Sequence, residues 1–133
     1  MIDHVSVAVS DIARSAAFYE HVLAPLGLQK IVDRGVSVGF GKNYPELWLN
    51  LREALARQPA TTGIHIALRA RSEDAVREFH AAALAQGGSD AGAPGPRQAA
   101  LTTYYGAFVS DHDGNKIEAL HFPRAMQGGF ANS

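Results

Sequence analysis

Apolar and polar residues alternate from the beginning of the chain. Val5, Val7 and Val9 fall on one side of an extended segment, and His4, Ser6, Ala8 and Ser10 fall on the other. This predicts a strand over 2–10 with one face in a core. Asp11 suits a helix N-cap, and Ile12, Ser15, Phe18, Tyr19, Val22, Leu23 and Leu26 then recur at helical spacing until Pro25 and Gly27 stop the run. Leu28–Asp33 and Val36–Phe40, on either side of Arg34-Gly35, read as a hairpin, and Leu47–Leu51 reads as a further strand. After a polar connector the pattern restarts at Gly63. Ile64, Ile66 and Leu68 alternate with His65, Ala67 and Arg69. Ser72 caps a helix whose stripe is Val76, Phe79, His80, Ala83 and Leu84, and Gly87-Gly88 end it. The Gly/Pro-rich run GGSDAGAPGPR reads as a loop. Two closing strands, Tyr104–Ser110 and Lys116–His121, flank the turn-forming run DHDGN, and no periodicity follows from Phe122 onward.

A shift of 61 positions superimposes the halves. His4 falls on His65, Asp11 on Ser72, Phe18 on Phe79, Tyr19 on His80, Leu23 on Leu84 and Gly27 on Gly88. The simplest organisation is one domain, residues 1–133, with module one at 1–52, a connector at 53–62, module two at 63–121 and a tail at 122–133. At 133 residues, 47% apolar and 19% charged, the chain can bury a core without staples. Cysteine is absent, so disulfides and thiolate chemistry are excluded. A net charge of −1 with scattered basic residues argues against nucleic acid or an anionic membrane as partner. No apolar run is long enough to span a bilayer, and no signal peptide precedes the first strand, so the expected location is the cytoplasm.

The repeat also gathers candidate chemistry. An approximate twofold axis would bring His4 and His65 near one another, and two imidazoles with a carboxylate can ligate a divalent cation. Glu118 sits mid-strand between Ile117 and Ala119, where a carboxylate is costly to bury unless it is paired or bound to metal. His21 and His80 on helices, and His112 in a turn, read as structural or solvated. The segments IDHVSVAVSDIARSAAFYEHVLAPLGL, GIHIALRARSEDAVREFHAAALAQGG and YYGAFVSDHDGNKIEAL resemble the vicinal-oxygen-chelate superfamily of glyoxalases, bleomycin-resistance proteins, fosfomycin-resistance transferases and extradiol dioxygenases. The resemblance implies an α+β fold of two tandem βαβββ modules, their mixed sheets curled around a cavity. It also implies metal ligands at His4, His65 and Glu118, with Fe, Mn, Zn or Ni as the divalent ion.

The fourth-strand position that often carries a ligand carboxylate or Gln in glyoxalases is Trp48 here, which disfavours lactoylglutathione lyase activity. Two histidines and one carboxylate instead resemble the sets of extradiol dioxygenases and fosfomycin-resistance transferases. The resulting expectation is a metal-dependent lyase, transferase or dioxygenase acting on a small substrate chelated through vicinal oxygens. Ser6, Trp48, Arg69, Arg97 and Tyr104 are the candidate substrate contacts, and no general base stands out. The alternative is a metal-free, non-catalytic small-molecule binding protein of the bleomycin-resistance kind, with Trp48 as an apolar wall. A homodimer is expected, since two modules leave strand edges to protect. Phe122, Met126 and Phe130 of the tail are its candidate contacts.

Overall fold

The structure is a computed structural model, and it describes residues 1–123. Each half folds as strand, helix and three strands. The first half holds β1 (Val5–Val9), α1 (Ile12–Leu23), β2 (Gln29–Asp33), β3 (Ser37–Gly41) and β4 (Pro45–Leu51). The second holds β5 (His65–Arg69), α2 (Glu73–Ala85), β6 (Ser89–Gln98), β7 (Thr103–Ser110) and β8 (Lys116–His121). The two sheets share one topology, β1-β4-β3-β2 and β5-β8-β7-β6, with the first pair of each parallel and the others antiparallel. The α+β architecture of paired βαβββ modules is therefore as the resemblance implies.

Both helices begin where capping chemistry places them. The Asp11 carboxylate accepts from the Arg14 N–H, and the Ser72 hydroxyl accepts from the Ala75 N–H, each at 3.0 Å. The helices pack on each other and on one face of the sheets. Phe18, Tyr19, Val22, Leu23, Val76, Phe79 and Ala83 meet Val9, Phe40, Leu47, Leu49, Val109 and Ile117 in a single core shared by both modules.

Two expectations are corrected. Leu84 does not belong to the core stripe; it is 44% exposed. Helix termination explains this. Leu28 N–H and Gly27 N–H close on the carbonyls of Leu23 and Ala24, whereas Gly88 and Gly87 close on those of Ala83 and Leu84. The repeat thus slips by one residue along the helix, and Ala83, not Leu84, is the partner of Leu23. The run GGSDAGAPGPR is not a loop, because most of it forms the ten-residue strand β6. It lies at the sheet edge, where Pro94 and Pro96 need not donate to a neighbour on the open side, and its register against β7 shifts twice between Asp90 and Gly95.

The modules are also tied by polar groups at the β7–β8 turn. The buried Asp111 carboxylate accepts from the Tyr19 hydroxyl (2.7 Å), the Asn115 amide group and the backbone N–H groups of Asp113 and Asn115. Asp113 accepts from the backbone N–H and hydroxyl of Ser10, and the Asn115 amide donates to Ala8 O. The C-terminal end of β1 is thereby fastened beside the start of β8.

Candidate metal centre and ligand face

Strand parity sends one set of side chains to the helices and the other to the helix-free face. In the second sheet that face carries three cross-strand rows: His65, Lys116 and Ser110; Ala67, Glu118 and Phe108; and Arg69, Leu120 and Gly106. Glu118 is only 4% exposed. A buried carboxylate needs partners, and it has one hydrogen-bond donor with a histidine beside it. Tyr104 O–H donates to Oε2 at 2.6 Å, and His65 Nε2 stands 3.4 Å from Oε1. Burial, followed by the bond to Glu118, pushes the Tyr104 phenol up to about 12, so it stays a donor across the physiological range.

Tyr104 reaches Glu118 because Gly106 lacks a side chain. A Cβ at Gly106 would meet the Tyr104 ring at 2.7 Å and Ala119 O at 3.2 Å. Gly92 does the same for Arg97, whose guanidinium would lie 2.9 Å from a Cβ there. Arg97 donates to Ala93 O, and its guanidinium carbon lies 5.4 Å from the centre of the Phe108 ring. Lys116 Nζ is 4.6 Å from the same centre, and the His65 ring meets Phe108 edge-on at 5.4 Å. Arg69 lies over Phe122, which also packs against Tyr104. Met126 and Phe130, the other expected interface residues, lie outside the described residues.

The donor set suits a divalent cation. The His65 Nδ1 faces Gly63 O at 3.1 Å, so its proton is assigned there and Nε2 keeps a lone pair toward Glu118; a backbone carbonyl holding the far nitrogen is how metal-binding histidines are oriented. A separation of 3.4 Å is longer than a good hydrogen bond. It matches two ligands of one ion, which lie about 3.0–3.4 Å apart when each bond is ~2.1 Å.

His4 does not join this pair within the chain. Among the described residues no three His, Asp or Glu side chains gather as a metal-binding group. Topology gives the reason. His65 pairs with Lys116 at the start of β8, near the C-terminal end of β1, whereas His4 precedes the N-terminal end of that strand. Five residues at about 3.3 Å each separate His4 from Val9. The twofold relation thus sets equivalent strand starts at opposite ends. His4 is half exposed, and its Nδ1 contacts Asp3 at 2.6 Å, with Asp3 also accepting from the Tyr44 hydroxyl. Hydrogen bonding to His4 and to Tyr44 holds the Asp3 carboxyl below its ordinary value.

In the first sheet, Ser6, Trp48 and Gly39 form the row that corresponds to Ala67, Glu118 and Phe108. Trp48 therefore stands where the second module has its carboxylate, with the Arg34 guanidinium 5.5 Å over its ring. Ser6 and His65 line one cavity of about 420 Å³ between the β1 and β5 edges, together with Ala8, Thr62, Ile64 and Asn115. Phe108, Lys116, Gly92 and Gly106 were not singled out from the sequence. The signal for two of them was parity: Lys116 is two residues before Glu118, and Phe108 is four after Tyr104.

Residues 1–119 match the Glyoxalase/Bleomycin resistance protein/Dioxygenase superfamily model. A glyoxalase/bleomycin resistance protein from Albidiferax ferrireducens T118 is 30% identical, with a TM-score of 0.79 over 90% of this chain and 97% of that one. Two further structures share the fold at 17% identity. A glyoxalase-related enzyme from Fulvimarina pelagi has a TM-score of 0.70 over 92% of this chain and 88% of its own. A genomically encoded fosfomycin resistance protein from Listeria monocytogenes has a TM-score of 0.66 over 94% and 95%. No curated protein matches the chain. Among the described residues no helix is long and apolar enough to cross a membrane. The match over nearly the whole described length, on the same paired modules, makes this chain a member of the glyoxalase/bleomycin resistance protein/dioxygenase superfamily.

Proposed function

We propose that this chain is a divalent-metal enzyme that binds a small substrate and works as a homodimer. The observation that carries the reading is the His65–Glu118 pair: Nε2 and Oε1 stand 3.4 Å apart, while Nδ1 and Oε2 are already engaged by Gly63 O and Tyr104. Each residue offers one atom to an ion and has the other fixed. His4 supplies the third ligand from a second copy, its Nδ1 held by Asp3 in the same manner. A bound ion would act as a Lewis acid toward vicinal substrate oxygens. The chain's own residues would do the rest. Tyr104 would fix the carboxylate, and Ser6, which lines the cavity beside His65, would hydrogen-bond substrate. Trp48, Arg69 and Arg97 lie outside that cavity's lining and would act as an apolar wall and cationic groups farther along the same faces. The superfamily includes non-catalytic binders, and metal content separates the two readings. Tag-free protein titrated with Mn²⁺ and Zn²⁺ takes up about one ion per chain, and Glu118→Gln abolishes uptake. Wild-type protein that takes up less than about a tenth of an equivalent of either ion is instead a metal-free binding module.

A further inference from the structure

We propose that the helix-free face of the second sheet selects a small organic oxyanion, a carboxylate or phosphate ester, with Lys116 and Arg97 as the recognising cations. The inference rests on reading this face as the ligand site, and it names the substrate class. Lys116, Arg97 and His65 each border the Phe108 ring, at 4.6, 5.4 and 5.4 Å from its centre. Both cations border the same apolar ring, and Lys116 also lines the cavity that holds His65 and Ser6, so this face carries local positive charge that favours an anion. Among the described residues neither Lys116 nor Arg97 has a carboxylate within ion-pair distance. The adjacent Glu118 accepts from Tyr104 at one oxygen and turns the other toward His65, and it forms no ion pair with either cation. Asp90, which feels the Arg97 charge, is bonded to His80 and to the Gly92 N–H. The ring contributes a weak cation–π attraction that positions the two groups without neutralising them. Gly92 is the cradle that allows the arrangement, since a Cβ there would strike both Arg97 and Phe108. Arg97 supplies a planar fork and Lys116 a point charge, the pair of donors that suits oxygens of an anionic head group.

Calorimetric titration of full-length, tag-free protein, with and without Mn²⁺, tests this with phenyl phosphate, benzoate and neutral phenol as probes. At least one anion binds. Lys116→Gln and Arg97→Gln each weaken it about tenfold or more, while Lys116→Arg retains it and phenol changes by less than about twofold. Gly92→Ala, which crowds the Arg97 guanidinium and the Phe108 ring, weakens the anion by less than Arg97→Gln does. Both glutamine variants keep wild-type Mn²⁺ uptake, so loss of anion binding is separable from loss of metal. Whichever of phenyl phosphate and benzoate binds more tightly identifies the head group. Binding of an anion that is lost in Lys116→Gln, in protein that takes up no metal, leaves this inference standing and removes the metal reading. Absence of binding by either anion up to about 10 mM, or affinities within about twofold of wild type in both glutamine variants, overturns it.

Discussion

Among single residues, Glu118 matters most through what holds its carboxylate still. Tyr104 fixes one oxygen and Gly106 gives the tyrosine its path. Removing the donor leaves a buried carboxylate oxygen unpartnered and free to swing away from an ion. Tyr104→Phe is expected to lower metal affinity about 10–100-fold while the fold persists, and Gly106→Ala is expected to do likewise by displacing the ring. Calorimetric metal titration beside circular dichroism checks both. Unchanged affinity in Tyr104→Phe would mean that the phenol merely packs. His65, Glu118 and Trp48 were legible from the sequence because strand parity fixes which face a residue occupies. Tyr104's bond to Glu118 was not, since it depends on the absent side chain of Gly106, two residues further along the same strand.

At the scale of elements, a short turn joins the modules. Asp111 gathers four donors, and the Tyr19 hydroxyl brings α1 of the other module to it. Burial, then the charge of Asp111, raises the Tyr19 phenol well above its ordinary value. A raised folded-state value means that the protonated phenol stabilises the fold fully below the unfolded value of 10.0 and that this contribution is lost as pH climbs beyond it. Tyr19→Phe is expected to cost about 1–3 kcal/mol at neutral pH and to lose less stability than wild type on going above pH 10. Urea unfolding at neutral and alkaline pH measures both effects, and parallel stability curves for the two proteins would contradict the role given to this bond. The helices were readable from caps and stripes. β6 was not, because glycine and proline in GGSDAGAPGPR signal a loop by composition, whereas an edge position and two register shifts let the same residues pair with β7.

At the scale of the molecule, the duplication was legible and its consequence was not. Matching His4 to His65 suggests that they meet, yet the fold sets them at opposite ends of the strands that the twofold relates. One chain therefore offers two of the proposed ligands in one place and the third elsewhere. β1 and β5 both lie at sheet edges, so a second copy has unpaired strands to dock against. Mixed dimers show whether the metal site is completed between two chains. His4→Ala and Glu118→Gln chains, differently tagged at the C-terminus with cleavable tags, are co-refolded, and the mixed species is isolated, freed of its tags and assayed for bound metal. Such a dimer holds one whole site, built from His65 and Glu118 of the first chain and His4 of the second. About one ion per mixed dimer is expected, and essentially none in either parent variant. A mixed dimer as empty as its parents, or a protein that stays monomeric while it binds metal, would contradict a site completed between two chains.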